Sequence, residues 1–163
     1  MTPNIISKVL ELDNCDKELF IKVLYSAKFW ETVSSTKKIE AKFISPNVLY
    51  TKMTDEIVSI KVQMEGELVL QDKGEQDSGK GRLIEINVRN NKDVKKLEGH
   101  LRIRALSKNR SKLGIFIKSF KLSNDFANLI GKSVAELTLR TKLTEMLRKL
   151  KRWLDHNSLE SLL

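Results

Sequence analysis

The sequence predicts an α+β domain in which a curved antiparallel sheet of about seven strands wraps around a long C-terminal helix. Between residues 37 and 122, apolar and polar residues alternate with a period of two, in stretches separated by hairpin-length turns. From residue 125 to 154 the apolar residues recur at spacings of three and four, and no proline interrupts them. A helix of about 30 residues is roughly 45 Å long. It needs a wide apolar surface to lie on, and the strands before it can supply one.

The first 36 residues predict one strand and two short helices. The apolar-rich residues 5–12 form the strand, and Asp16 is the best N-cap for a helix over residues 17–25. A second helix follows a break near Ser26 and ends at the turn-forming polar residues 34–36.

Six further strands are predicted from the alternation. Residues 37–43 and 48–54 form a hairpin, and residues 55–56 turn the chain into a long strand at 58–70, where Gly66 favours a bend or a close approach by another backbone. A polar loop at 72–81 then leads to strands at 82–89, 97–105 and 113–122. The apolar phase slips after Ser119, which predicts a β-bulge.

Composition favours a single domain over residues 1–163. No apolar run approaches the ~20 residues of a membrane span, the N-terminus lacks signal-peptide features, and Cys15 is the only cysteine. We therefore expect a cytoplasmic protein without disulfides.

The two halves of the sequence differ in charge. Residues 1–81 carry 11 basic and 13 acidic side chains, whereas residues 82–163 carry 19 basic and 8 acidic ones. We interpret this dispersed basic charge mainly as a solvated exterior, so nucleic acid is not favoured as a partner, and peripheral membrane contact and a homodimer stay open.

The order of elements resembles the helix-grip fold of the START, birch-pollen-allergen and polyketide-cyclase superfamily. The resemblance covers residues 5–154: the small helices at 17–33, the strand run at 37–122 and the gripped helix from Asp125. Phe29, Trp30 and Glu31 lie where many members carry an aromatic residue. Among prokaryotic branches the chain is most similar to the small carbon monoxide dehydrogenase G-like proteins. The resemblance implies an elongated cavity between sheet and helix that holds lipids, sterols, plant hormones or aromatic polyketides, and it carries over no catalytic residue.

Residues that face inward by period predict a site for a hydrophobic small molecule, of lipid, sterol-like or polycyclic aromatic type, in this cavity. The ligand-binding candidates on the sheet and on the helix are Ile60, Val62, Met64, Ile86, Leu101, Ile103, Ile130, Val134, Leu137, Thr138 and Thr141. For most of them, plain core packing is the alternative. Thr138 and Thr141 either offer hydroxyl groups to a ligand or bond the preceding helical turn. Gly131 either permits close approach or packs neutrally, at a cost of about 1 kcal/mol relative to Ala.

The histidines, the paired glutamates and the cysteine of this sequence predict little chemistry. His100 and His156 have no ligand spacing to Cys15, so neither a metal nor a cofactor is expected. Glu65 and Glu67 take the outward phase of their strand, where they would pair with cations. Cys15, near a helix N-terminus, is an unfavoured nucleophile because no base is in evident reach.

Two alternatives to a carrier stay open. One is an enzyme of the aromatase/cyclase type acting in the same cavity, with Thr138, Thr141 and Arg82 as its inward polar groups. The other is a basic interaction module for nucleic acid, membrane or a protein complex. Its contact surface would be the four basic residues near the end of the long helix, Arg148, Lys149, Lys151 and Arg152. A solvated helix end is the favoured interpretation of these four residues.

Overall fold

The structure, a computed structural model, describes residues 4–57 and 59–163, apart from the side chain of Phe126. Within these described residues, seven strands and four α-helices follow one another. They are β1 (Ile6–Asp13), α1 (Lys17–Val23), α2 (Ala27–Val33), β2 (Lys38–Ser45), β3 (Val48–Ile57), β4 (Ile60–Gln76), β5 (Gly81–Arg89), β6 (Val94–Ser107), β7 (Arg110–Leu122), α3 (Asn124–Ile130) and α4 (Lys132–His156). Short 3₁₀ segments lie at Asp77–Gly79 and Leu159–Leu162.

All strand pairs are antiparallel, and the sheet order is β1-β7-β6-β5-β4-β3-β2. Each strand from β2 to β7 therefore pairs with its neighbour in sequence, while β1 crosses over to pair with β7. This is the predicted antiparallel sheet with the predicted number of strands. The two short helices after β1 are also confirmed, and the backbone N–H of Leu19 donates to Oδ1 of Asp16 (2.9 Å), which makes Asp16 the cap of α1 as expected.

The second half of α4 is buried in the main core. Leu147, Leu150 and Leu154 pack with residues of α1, α2 and the central strands in one apolar cluster. Near its start, α4 contributes Ala135 to a smaller cluster with Ile57 and Val62 from the β3–β4 end of the sheet. Between the two clusters, Leu139, Leu143 and Met146 are only partly buried and pack against the main core.

The long C-terminal helix is not continuous as predicted. It is broken at Gly131, whose φ of 81° and ψ of 151° are incompatible with a helix and are accessible almost only to glycine. A Cβ at this position would meet no atom within 4 Å. The glycine is therefore required by the backbone angle, and neither close approach nor neutral packing describes its role.

Two predicted boundaries in the sheet were wrong. Residues 55–56 do not turn the chain; β3 continues to Ile57, and Asp55 pairs in register with Val62. Val58, which was expected to begin the next strand, lies outside the described residues. In the predicted loop at 72–81, β4 runs on to Gln76 with a register shift between Asp72 and Gly74. Both errors arise where polar residues occupy a strand, because such segments show no apolar alternation.

The β-bulge near Ser119 is confirmed. Ile117 pairs with Gly99 and Ser119 pairs with Glu98, so Lys118 is the additional residue in β7. The shift brings Phe120 and Leu122 onto the face that Ile117 presents to the helix, where all three line the space described below.

Candidate ligand-binding cavity

A cavity of about 290 Å³ lies between the concave face of the sheet and the first half of α4. This volume is near the lower end of the roughly 300–1,000 Å³ that is typical of small-molecule sites. β3 presents alternate residues to it, and α4 presents one stripe. The lining residues of β3 are Leu49, Thr51, Met53, Asp55 and Ile57, and those of α4 are Ala135, Thr138, Leu139, Lys142, Leu143 and Met146.

The remaining wall is mostly apolar. Trp30 of α2 lines the cavity, and its indole N–H donates to the carbonyl of Leu24 (2.8 Å), which fixes the orientation of the ring. The strands contribute an almost continuous hydrocarbon surface. Its members are Ile39, Met64, Leu68, Ile86, Val88, Val94, Leu97, Leu101, Ile115, Ile117, Phe120 and Leu122.

Five of the eleven residues predicted to bind a ligand line this cavity. They are Met64, Ile86, Leu101, Ile130 and Thr138. Ile60, Val62 and Ile103 pack in the apolar clusters beside it. Ligand binding by any of these residues stays a prediction, because the structure shows only where they lie.

Three of the predicted helix residues lie on the wrong face. Val134, Leu137 and Thr141 are exposed, and Leu137 is 63% accessible to solvent. They share one face of α4 at spacings of three and four, while Ala135, Leu139 and Lys142 share the face toward the sheet. Thr138 lies at the cavity, but its hydroxyl donates to the carbonyl of Val134 (2.8 Å), so it bonds the preceding helical turn.

The polar side of the cavity was not predicted. Asp55, only 4% exposed, is on the inward phase of β3, and its Oδ2 lies 3.0 Å from Nζ of Lys142 on α4. Lys142 Nζ also donates to the carbonyl of Ser35 (3.2 Å), whose hydroxyl donates to the carbonyl of Lys142 (2.8 Å). The backbone N–H of Glu56 donates to the other carboxylate oxygen of Asp55 (2.9 Å). One ion pair thus joins the sheet, the helix and the segment after α2 at the cavity wall.

Signals for this pair were present in the sequence. The alternation of β3 continues through Leu49, Thr51 and Met53 to Asp55, and a strand extended to Ile57 would have placed the carboxylate inward. Lys142 falls within the apolar stripe of its helix, where a lysine is uncommon unless paired.

Asn91, in the turn between β5 and β6, is a further polar residue at the cavity, and it lies against Gly66 of β4. Gly66 is buried there, and a Cβ on it would lie 2.5 Å from Nδ2 of Asn91, so only glycine admits this close approach. Oδ1 of Asn91 accepts from the backbone N–H groups of Asp93 and Val94, each at 3.0 Å. The expectation of a close approach at Gly66 is correct, although the neighbour is a side chain.

Glu67 also lines this end of the cavity, and its carboxylate is engaged in hydrogen bonds. It accepts from Nε of Arg89 (2.8 Å) and from Nδ2 of Asn90 (3.1 Å). These hydrogen bonds hold the pKa of Glu67 below its usual value. The predicted pairing with a cation is therefore confirmed for Glu67, but its outward, solvated position is not, because the residue lines the cavity and its side chain is 16% exposed.

The other residues considered for chemistry lie elsewhere. Arg82 does not face the cavity; its guanidinium makes two hydrogen bonds of 2.7 Å to Asp72. Cys15 is fully buried, and burial raises the pKa of its thiol to about 11, which is the opposite of an activated nucleophile. His100 is half-buried, and its ring stacks on Phe116 with centroids 5.0 Å apart.

The basic face near the end of α4 is exposed at Arg148, Lys149, Lys151 and Arg152. Nζ of Lys149 donates to the carbonyl of Ser34 (3.1 Å), so one of these four cations ties the helix to the segment after α2. Among the described helices, none has the length and hydropathy needed to cross a membrane.

Comparisons with known proteins give a match in structure only. No family profile matches the chain, and no curated protein sequence matches it. Among solved structures, a START superfamily protein from Mycobacterium smegmatis is 15% identical with a TM-score of 0.61, and the alignment covers 91% of this chain and 97% of that one. The Zhui aromatase/cyclase from Streptomyces sp. R1128 is 12% identical with a TM-score of 0.64 and 92% of each chain covered.

A STAR-related lipid transfer protein from Xanthomonas axonopodis gives a similar result. It is 10% identical with a TM-score of 0.61, and 92% of this chain and 85% of that fragment are covered. At such identities the likeness is one of fold, and closeness to the carbon monoxide dehydrogenase G-like proteins stays a prediction. The seven-stranded sheet and the long C-terminal helix nevertheless correspond over nearly the whole chain, and the protein therefore has the same fold as these structures, a helix-grip fold.

Proposed function

We propose that this protein binds a hydrophobic small molecule between its sheet and α4, and so carries or sequesters that molecule. The observation that carries the proposal is the cavity of about 290 Å³ with an almost wholly apolar wall. A well-packed core leaves few voids larger than a water molecule, so an apolar space of this size between the sheet and the helix supports a role in binding.

The fold supports the same class of function. Two proteins with the same fold are a STAR-related lipid transfer protein and an aromatase/cyclase, and each name implies an apolar or polycyclic partner for that protein. Binding here would be driven by burial of apolar area, at about 25 cal/mol per Å² before the costs of association. We place this activity in the cytoplasm as part of the proposal.

The test uses N-phenyl-1-naphthylamine, a neutral apolar fluorophore whose emission rises in an apolar environment. We expect saturable binding at one site in the wild-type protein. Met64→Trp should weaken it at least tenfold, because Met64 lines the cavity and an indole in its place would fill part of the volume. Affinity is measured by fluorescence titration, and thermal unfolding monitored by circular dichroism checks that the variant is folded.

Leu137→Trp is the matched control. It introduces the same indole on α4, but at an exposed position outside the cavity, and should leave the affinity unchanged. An absence of saturable binding in the wild type, or equal weakening by both substitutions, would count against the cavity as the binding site.

A further inference from the structure

The ion pair between Asp55 and Lys142 is an uncommon feature for the wall of an apolar cavity. The side chain of Asp55 is 5% exposed and that of Lys142 is 28% exposed, so the pair is partly removed from water. Removing charges from water is costly, and replacing a buried ion pair by apolar residues often leaves stability unchanged or improves it. Stability alone therefore gives a weak reason for these two residues. Within residues 4–57 and 59–163, they are the only ion pair of which both residues line the cavity.

The geometry leaves one position on the lysine free for a ligand. An ammonium group has three N–H donors. That of Lys142 donates one to the carbonyl of Ser35 (3.2 Å) and forms an ion pair with Oδ2 of Asp55 (3.0 Å), which occupies a second direction. Glu145 lies 3.8 Å from Nζ, which is beyond hydrogen-bond distance. Among the described residues no third acceptor lies within hydrogen-bond reach of this ammonium group.

The lysine is also held in place rather than free to leave the cavity. The segment after α2 is fixed to α4 in both directions, since Ser35 accepts from Lys142 Nζ and donates to the Lys142 carbonyl (2.8 Å). Asp55 is fixed in turn by the backbone N–H of Glu56. The donor is thus preorganised, which reduces the cost of ordering it when a ligand binds.

The local charge indicates which polar group the ligand carries. One ammonium is already matched by the carboxylate of Asp55, and a second carboxylate, Glu145, lies nearby. A ligand carboxylate would bring a further negative charge into an apolar space without an unmatched cation to receive it, which is unfavourable. A hydroxyl or carbonyl oxygen accepts the third N–H without adding charge.

We propose that Lys142, held by Asp55 and Ser35, is the polar anchor of the cavity, and that the ligand class is apolar molecules bearing a neutral oxygen, as a hydroxyl or a carbonyl. This inference rests on the proposed function, because it assigns the polar end of a ligand that binds in the same cavity. It distinguishes sterol-like alcohols and neutral polycyclic ketones from fatty acids.

The experiment compares probes that share one apolar body. Naphthalene, 2-naphthol, 2-acetylnaphthalene and 2-naphthoate are measured by equilibrium dialysis against the full chain at neutral pH. We expect 2-naphthol and 2-acetylnaphthalene to bind about tenfold more tightly than naphthalene, as one hydrogen bond to a charged donor allows, and 2-naphthoate to bind no more tightly than naphthalene. Because this comparison uses the wild-type protein, it does not depend on the folding of any variant.

The double substitution Asp55→Asn with Lys142→Met then assigns the preference to the pair. It removes both charges together, which avoids leaving one of them buried and unpaired. In this variant the preference for the two neutral oxygen compounds over naphthalene should be lost, whatever its absolute affinity for naphthalene. Lys151→Met, at an exposed lysine on the same helix, should keep the preference.

The outcomes separate the two proposals. If none of the four probes binds, the proposed function fails and the anchor with it. If naphthalene binds but the oxygen compounds bind no better, or if the double variant keeps the preference, the cavity function stands and the anchor is overturned. Tighter binding of 2-naphthoate than of 2-naphthol would likewise overturn the choice of a neutral ligand.

Discussion

At the scale of single residues, burial reverses what local sequence suggests for Cys15. The residue lies just before α1, where a helix N-terminus favours a thiolate, yet it is enclosed in the main core. Burial is the largest cause of the increase in its pKa from 9.0 to about 11, and the hydrogen bond with Ser111 opposes the increase only in part. The thiol therefore acts as a small apolar core residue.

This pKa predicts how stability depends on pH at alkaline values. The folded-state pKa is higher than the unfolded one, so the contribution of the thiol is fully present below pH 9 and is lost as the pH rises toward 11. We expect wild type to be more stable than Cys15→Ala below pH 9. The difference should shrink by about 1–3 kcal/mol on approaching pH 11, as measured by urea denaturation of both proteins.

The comparison with Cys15→Ala cancels the titration of lysines and tyrosines, because both proteins share those groups. A stability difference that stays constant across this pH range would show that the thiol titrates normally in the folded protein.

At the scale of elements, the break between α3 and α4 decides which helix residues reach the cavity. Gly131 allows the chain to change direction, and Ile130 before it and Ala135 after it both line the cavity. If the helix were unbroken at Gly131, Ile130 and Ala135 would lie along one straight helix axis. Three other apolar residues of this corner, Leu129, Val134 and Leu137, are exposed.

Gly131→Ala should be destabilising. The angles of this residue fall in a region that is essentially restricted to glycine, where a side chain costs of order 1–3 kcal/mol. We expect a loss of about that size in the free energy of unfolding, measured with urea. Ser133→Ala, two residues later and exposed on α4, is the control and should change stability by less than about 0.5 kcal/mol. An unchanged stability in Gly131→Ala would contradict the break.

At the scale of the whole molecule, residues beyond α4 complete the core. The helix α4 ends at His156. The chain then folds back as the 3₁₀ segment Leu159–Leu162 against α1. Ser26 donates to the carbonyl of Leu162 (2.5 Å), and Asn14 donates to the carbonyls of Leu154 and Asn157 (2.9 and 3.0 Å). The end of the described chain thus links α4 to the segment after β1.

Leu159→Ala should therefore cost about 2–5 kcal/mol in the free energy of unfolding, as is typical of a fully buried leucine. Leu159 is only 2% exposed, whereas Leu163, four residues later, is 61% exposed. Leu163→Ala is the control, and we expect it to have little effect. Denaturant unfolding monitored by fluorescence of Trp30 and Trp153 measures both, and equal, small effects would show that this segment does not pack as described.

The sequence by itself determined the antiparallel sheet, its seven strands, the paired short helices and the bulge in β7, because these depend on apolar periods and on local turn and capping chemistry. It also determined which side of the sheet faces the last helix, but in the first half of that helix it placed Val134, Leu137 and Thr141 on the wrong face. Where a strand or helix is apolar on one face only, the local apolar pattern was sufficient to predict that element.

Only the tertiary structure decided which of those residues surround empty space and which fill the core. Ile103 and Leu101 share one strand face, yet only Leu101 lines the cavity. The distance between helix and sheet also decided that Asp55 and Lys142, 87 positions apart in the sequence, form an ion pair. Periodicity gives the direction of a side chain from its own element, but a cavity and its anchor depend on the separation of two elements, which is set by packing over the whole chain.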